Sequence, residues 1–321
     1  MKKLADPFVR LLWRILLRML RACPPICGMI ANGDIYAHQS RIKSLFLIAA
    51  KIPHALVLHW QDRRQKRIVL AQVYTAVTTR CTLRCDKCLT HVPDLKCHED
   101  APADELIADL QALFSCIDYI YDLCLGGGEP LLHPDLDQIL LACAASGKIG
   151  NIKVLTNGTV LPGANVLVAL RDAKARVNIS DYPNAPQPDF KKIQEVLKEN
   201  EICYAVYPAV SGNWVDTDSF GQLKEGSPAR RFSDCILRLY HVFVSGQLHL
   251  CCQSAILAYD GRRSVCREDY IDMRRASSDT FREELKKLNK KIVVSACSYC
   301  LGHDYKTPKI PVAVQREKES E

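Results

Sequence analysis

The sequence predicts an α/β fold: a parallel sheet, closed or partly closed as a barrel, with helices outside it. Two observations predict this. Short apolar runs alternate with helical stretches from about residue 68 to residue 206, the rhythm of repeated strand–helix units. The segments richest in chemistry each follow a strand: a cysteine loop at 81–88, a glycine loop at 126–130, Thr156-Asn157-Gly158 and Ser180-Asp181. Loops at the C-terminal ends of parallel strands are where such folds carry their sites.

Taken in order, residues 4–21 have Phe8, Leu12, Ile15 and Met19 at helical spacing and Arg10, Arg14, Arg18 and Arg21 as a cationic stripe. Such a helix suits an anionic membrane surface, or a place on the protein's own body with its arginines in water. Four arginines at hydrocarbon depth argue against a spanning helix. They also break the apolar run that a cleavable signal peptide would need. Pro24-Pro25 ends the helix, and residues 35–67 read as helical again, closing on Arg63, Arg64, Lys66 and Arg67. That run reads as a solvated linker, and no nucleic-acid partner is expected.

Strands are then predicted at 68–77, 120–125, 152–155, 175–179 and 202–206, with helices at 102–116, 133–146, 164–174 and 189–199. A polar connection follows at 211–234, then a hairpin at 236–252 turning at Ser245-Gly246-Gln247, a helix at 279–290, and a charged tail from Thr307 expected to be disordered. The expected division is a basic helical extension at 1–67, a barrel at 68–228, a cysteine-rich domain at 229–305 and the tail at 306–321.

The net charge of +7 belongs to the first segment: residues 1–67 hold 13 Lys/Arg against 3 Asp/Glu. Sixteen cysteines is a high count. A chain of this length can build its own core, so metal ligation plus buried thiols is expected ahead of disulfides. The placement expected is cytoplasmic, with the inner membrane face as an option.

Three thiols lie in a C-x3-C-x2-C pattern on one loop: Cys81, Cys85 and Cys88. They can hold three irons of a cubane and leave the fourth open; a zinc site completed by His91 is the alternative. Gly126-Gly127-Gly128-Glu129-Pro130 permits close backbone approach to a ligand, and the Glu129 carboxylate could receive an ammonium group. Cys235, Cys251 (in a Gly246-x4-Cys251 spacing), Cys297 and Cys300 supply four further thiolates, suiting a closed cluster or a structural zinc. Cys252 and Cys266 are spare. Cysteines 23, 27, 97, 116, 124, 143 and 203 read mostly as small core residues.

Together these elements resemble the radical S-adenosylmethionine (SAM) superfamily over roughly residues 70–305. The resemblance implies a partial (β/α)6 TIM-type barrel whose cysteine triplet binds a catalytic [4Fe–4S] cluster, with SAM chelating the open iron. It implies SAM contacts from Gly127, Gly128 and Glu129, from Asn157 at the third strand end, and from Ser180 by position alone. The residue before the third cysteine is usually aromatic in that family and is Lys87 here. The second cysteine set looks like a twitch domain, a shortened relative of the SPASM domain, which implies one auxiliary [4Fe–4S] cluster and two clusters in all. The family's chemistry implies a reducing electron donor such as flavodoxin or ferredoxin. It also implies hydrogen abstraction by a 5′-deoxyadenosyl radical, for oxidation or epimerisation of a small polar or sugar-like molecule such as an aminoglycoside. A peptide-modifying maturase is the alternative within the family. A non-catalytic zinc- or iron–sulfur-binding protein is the alternative outside it.

Overall fold

The computed structural model describes residues 2–31, 41–208, 214–218, 220–221, 225–304 and 306–317, without the side chains of 2–8, 28–31 and 41–51. Phe8 of the expected apolar stripe is therefore outside the described side chains. Three helices come first: α1 (Lys2–Ala22), α2 (Pro24–Ala31) and α3 (Arg41–Arg64). The break between α1 and α2 falls at Cys23, immediately before the proline pair, because proline cannot donate the next helical hydrogen bond.

The body then alternates as expected. Strands β1 (Val69–Thr78), β2 (Tyr119–Gly127), β3 (Ile149–Thr156), β4 (Arg176–Asp181) and β5 (Tyr204–Pro208) alternate with helices α4 (Ala103–Cys116), α5 (Leu136–Ala145), α6 (Ala164–Asp172) and α7 (Phe190–Glu199). All five strands pair in parallel in chain order, which each intervening helix makes possible by crossing back over the sheet. Leu113, Leu123, Leu125, Leu136, Ile139, Leu140 and Val154 are fully buried in one core between sheet and helices.

After the short β6 (Trp214–Val215) and α8 (Pro228–Asp234) come β7 (His241–Val244), β8 (Gln247–His249), α9 (Cys252–Asp260), β9 (Tyr270–Asp272), α10 (Ser278–Lys290) and β10 (Lys309–Ile310). The main sheet runs β5-β4-β3-β2-β1-β7-β8-β9. Its sixth parallel strand is thus β7, which flanks β1 rather than following β5. The sheet stays open at β5, as a partial TIM-type barrel does, and the segment carrying the second cysteine set is continuous with it. The β7–β8 turn is the predicted one: Ser245 and Gly246 both have positive φ, 48° and 73°, the geometry that matches strand twist in a two-residue hairpin.

Two expectations are corrected. The first concerns the charged segment from Thr307. Within the described residues it is ordered: β10 pairs antiparallel with β6, and Val312 and Ala313 are buried against Leu83 and Cys85. The second concerns the α1 arginines, which are not left in water. Arg10 and Arg14 bridge Asp234 at 3.2 and 2.5 Å, Trp13 donates to the Asp234 carbonyl, and Arg21 donates to Asn289. Leu17 and Leu20 pack with Cys27, Ala71 and Leu239. The helix is therefore turned so that Val9, Leu12, Ile15, Leu16 and Met19 face outward, Met19 being 64% exposed. A carboxylate that is 3% exposed needs paired cations more than surface arginines need water.

All sixteen cysteines are free thiols. Cys23, Cys27, Cys116, Cys124 and Cys143 are buried as expected, whereas Cys97 and Cys203 are exposed because they sit on the loops flanking β1 and β5.

Candidate active site

β1 ends at Thr78, and the chain turns into the loop bearing Cys81, Cys85 and Cys88. The glycine run leaving β2 lies directly across the start of that loop: Gly128 N donates to the Thr78 carbonyl and Glu129 N to the Arg80 carbonyl, both at 2.8 Å. This approach requires glycine. A Cβ on Gly128 would stand 2.0 Å from the Arg80 oxygen, and one on Gly127, whose φ is +121°, would stand 2.1 Å from the Thr78 oxygen. Opposite, Arg80 pairs with Asp100 at 2.9 Å and donates to the Leu132 carbonyl, which holds the loop's first residues from the other side.

Glu129 departs from expectation. Its carboxylate is fully buried and accepts from Thr156 Oγ1 (2.8 Å), Asn157 N (2.8 Å) and Leu131 N (3.1 Å). Burial outweighs the lowering effect of those three donors and leaves it raised to about 7. Its side chain ties the glycine loop to the end of β3, and Glu129 is not among the residues that line the cavity at the cysteine loop. Asn157 is fixed by that contact and reaches over the loop, donating from Nδ2 to Cys81 Sγ (3.5 Å) and Thr82 Oγ1 (3.1 Å).

The three thiols, the three glycines, Thr156, Asn157 and Ser180 line one cavity of about 260 Å³, together with Tyr74, Leu155, Tyr182 and Trp214. Every sequence-predicted residue of the catalytic set except the Glu129 side chain thus meets there. Burial pushes Cys81 up to about 11 and raises Cys85 as well, so binding iron at these sulfurs entails releasing their protons. Each sulfur has a polar neighbour: Asn157 at Cys81, Gln315 Nε2 at Cys85 (3.3 Å) and Thr90 Oγ1 at Cys88 (3.3 Å). Hydrogen bonds to ligating sulfurs tune iron–sulfur sites, and the donor set fits a cubane with one open iron. His91, which a zinc reading would add, faces Asp94 (Nδ1–Oδ2 3.5 Å) and stacks on Phe220. Among the described residues no group of three potential ligands is drawn together around a single ion.

Four residues that sequence reasoning missed shape the cavity. Tyr182 and Trp214 form an edge-to-face pair at 5.6 Å, placing aromatic surface beside the loop where Lys87 interrupts the family pattern. Lys87 itself turns away with φ 54° to pair with Asp216 at 3.2 Å. Gln187 donates to the carbonyls of Asn157 and Ser180 and accepts from Tyr182 N, clamping the ends of β3 and β4 together. Gln315 is the fourth. No local sequence pattern marks any of them.

The second cysteine set also converges. Cys235, Cys251, Cys297 and Cys300 line one small apolar pocket with Phe232 and Leu237. Burial, then the neighbouring thiols, raises Cys251 and Cys300. Arg231 holds the Cys297 carbonyl at 2.8–3.0 Å, and Gly302 N donates to Cys300 Sγ. Cys252 also lines a neighbouring cavity with Tyr74 and Tyr259, and burial, then the nearby Cys235 thiol, raises it. Cys266 is exposed and apart.

Beneath the catalytic cavity, side chains alternate along each strand. Those on the cavity face are Gln72, Tyr74, Asp122, Cys124, Lys153, Arg176 and Asn178, with Tyr74, Cys124, Lys153 and Arg176 in one register across four strands. Lys153 and Asp122 form an ion pair at 2.9 Å, 1% and 0% exposed. The barrel floor is polar, which a purely structural core would not require.

Comparison with known proteins agrees with this geometry. Residues 75–197 match the family model described as the radical SAM superfamily. A GTP 3′,8-cyclase of Moorella thermoacetica is 38% identical over 122 residues, 37% of this chain and 36% of that protein. One of Aquifex aeolicus is 29% identical over 133 residues, 40% of each chain. The chain thus spans well under half the length of these relatives. Among solved structures, BtrN in complex with AdoMet and 2-DOIA is 17% identical, with a TM-score of 0.45, over 73% of this chain and 93% of that one. Streptococcus suis SuiB bound to S-adenosylmethionine is 12% identical, with a TM-score of 0.40, over 90% of this chain and 87% of that one. The matched residues 75–197 contain the cysteine triplet, the glycine loop and the strand ends that form the cavity, and they make up a radical SAM domain.

Proposed function

We propose that the protein is a two-cluster radical SAM enzyme of the twitch type that oxidises or epimerises a small polar, carbohydrate-like molecule. The observation that carries this reading is the convergence of Cys235, Cys251, Cys297 and Cys300 on one pocket, separate from the cavity of Cys81, Cys85 and Cys88. Four sulfurs fit a closed cluster and three fit an open one. With a [4Fe–4S] cluster on the triplet, the chemistry supplied is one-electron reductive cleavage of SAM and hydrogen abstraction from substrate. The chain's own part is to exclude water and fix positions: Gly127 and Gly128 bring backbone to the cofactor, Asn157 and Gln187 lock the strand ends, and Tyr182 and Trp214 wall the cavity. The reductant, flavodoxin, ferredoxin or another low-potential donor, is part of the same proposal.

The polar groups that line the cavity, among them Thr90, Thr156, Asn157 and Ser180, support a hydroxyl- or amine-bearing substrate. The named activity of the curated relatives, GTP 3′,8-cyclase, offers a nucleotide instead. A triphosphate asks for several cations free to engage it, and among the described residues no Lys or Arg lines the cavity, which favours the smaller molecule. Changing Cys297 and Cys300 to Ala is expected to remove about half the iron while SAM cleavage partly survives. Iron and sulfide assay beside 5′-deoxyadenosine quantification checks this; equal loss of both would contradict two separate sites.

No helix among the described residues is long and apolar enough to cross a membrane. The outward apolar face of α1 supports peripheral contact with a lipid surface, with Arg18 at its margin. Because Arg10 and Arg14 are engaged by Asp234, binding to vesicles of phosphatidylglycerol and phosphatidylcholine is expected to persist at high salt. It is expected to vanish in a Leu12→Ser/Met19→Ser variant. Flotation of the full chain tests this, and equal flotation of the variant would contradict it.

A further inference from the structure

The segment 309–317 lies directly on the cysteine loop. Lys309–Ile310 pair with Trp214–Val215, and Asn184 Nδ2 donates to the Val312 carbonyl at 2.9 Å. Ala313 takes a left-handed φ of 51°, and the chain then forms an antiparallel bridge between Gln315 and Cys85. Around that bridge three backbone groups of the loop's middle are met from the segment: Asp86 N donates to the Val314 carbonyl (2.6 Å), Arg316 N donates to the Arg84 carbonyl (2.9 Å), and Arg84 N donates to Gln315 Oε1 (2.9 Å). The other end of the same amide, Nε2, donates to Cys85 Sγ at 3.3 Å and to the Ala313 carbonyl at 2.8 Å. Arg316 completes the attachment with a two-point pair to Asp94 at 2.8 and 3.1 Å. Val312 and Ala313 are buried beside Leu83, Tyr182 and Trp214.

A segment that merely filled space would not need to satisfy both sides of one loop residue and the ligand sulfur next to it. Unmet loop amides would be costly where water is excluded, and Cys85 is 7% exposed. We propose that the segment 309–317 is a strap that sets the environment of the Cys81–Cys85–Cys88 site, with Gln315 as a positioning residue that hydrogen-bonds the Cys85 sulfur. This rests on the reading that Cys85 ligates the catalytic cluster. A donor on a ligating sulfur withdraws charge from it and stabilises the more negative, reduced form. Gln315 therefore makes the catalytic cluster easier to reduce, and the strap keeps solvent from its least exposed ligand.

The test uses the full chain as wild type, Gln315→Met and Gln315→Glu. Methionine keeps length without a donor; glutamate keeps length and the Arg84 contact while placing a carboxylate beside the sulfur. Two readouts follow: the midpoint potential of each cluster by EPR redox titration without SAM, and the alkylation rate of Cys85 in metal-free protein by mass spectrometry. The expected result is a more negative midpoint for the catalytic cluster in both variants, further for Gln315→Glu, with the auxiliary midpoint unchanged and Cys85 alkylated several-fold more slowly, because its thiolate has lost the donor. Wild-type midpoint and alkylation rate in both variants would overturn the proposal. Wild-type protein that assembles no cluster on the triplet would instead overturn the site reading, with the alkylation rates still deciding whether Gln315 hydrogen-bonds the Cys85 sulfur.

Discussion

Lys153→Met is expected to destabilise the protein by about 3–5 kcal/mol, because it leaves the Asp122 carboxylate buried without its cation. The pair spans β2 and β3 at 2.9 Å, and neither side chain is more than 1% exposed. Asp122→Asn alone should be nearly as damaging, since it strands the ammonium group in turn. Replacing both residues with apolar ones of similar size should recover most of the loss, because the desolvation of two charges is then avoided. Urea midpoints for the single and double variants check this; singles within about 1 kcal/mol of wild type would show that water reaches the pair.

The second large effect is on activity. Changing Cys81, Cys85 or Cys88 to Ala is expected to abolish SAM cleavage and to remove the iron held by the loop. A cubane held by two protein sulfurs has lost the arrangement that leaves one iron open for the cofactor. The fold should tolerate the change: the loop is held from outside by Thr78, Arg80, Asp100 and the strap. Cys85→Ala should therefore keep the wild-type far-UV spectrum and thermal midpoint in the metal-free state. Full 5′-deoxyadenosine yield from any of the three variants would contradict the assignment.

Much of this architecture was legible in the sequence because it rests on local patterns. The five strands with the four helices between them, the Ser245-Gly246 turn and the α10 helix follow from period and turn chemistry, and their ends fall within a few residues of expectation. The cysteine triplet and the glycine loop were legible because spacing alone places them at strand ends. What stayed hidden depends on contacts between distant residues. The arginine stripe of α1 looked like a solvent face, yet its partner Asp234 lies more than 200 positions away. The segment after Thr307 looked disordered because it is charged, yet its few apolar residues and Gln315 find partners 230 positions upstream. Glu129 shows another limit. A motif names a residue, but whether its side chain or its backbone meets the ligand depends on the three donors that surround it.

The central claim is that the loop of Cys81, Cys85 and Cys88 holds a cluster that cleaves SAM. Anaerobic reconstitution with iron and sulfide, reduction, and addition of SAM test it most directly, with 5′-deoxyadenosine and methionine measured against time. The account predicts both products in equal amounts from the wild-type chain and neither from the Cys85→Ala variant. Wild-type protein with its iron fully loaded and reduced, yet forming no 5′-deoxyadenosine, would contradict it.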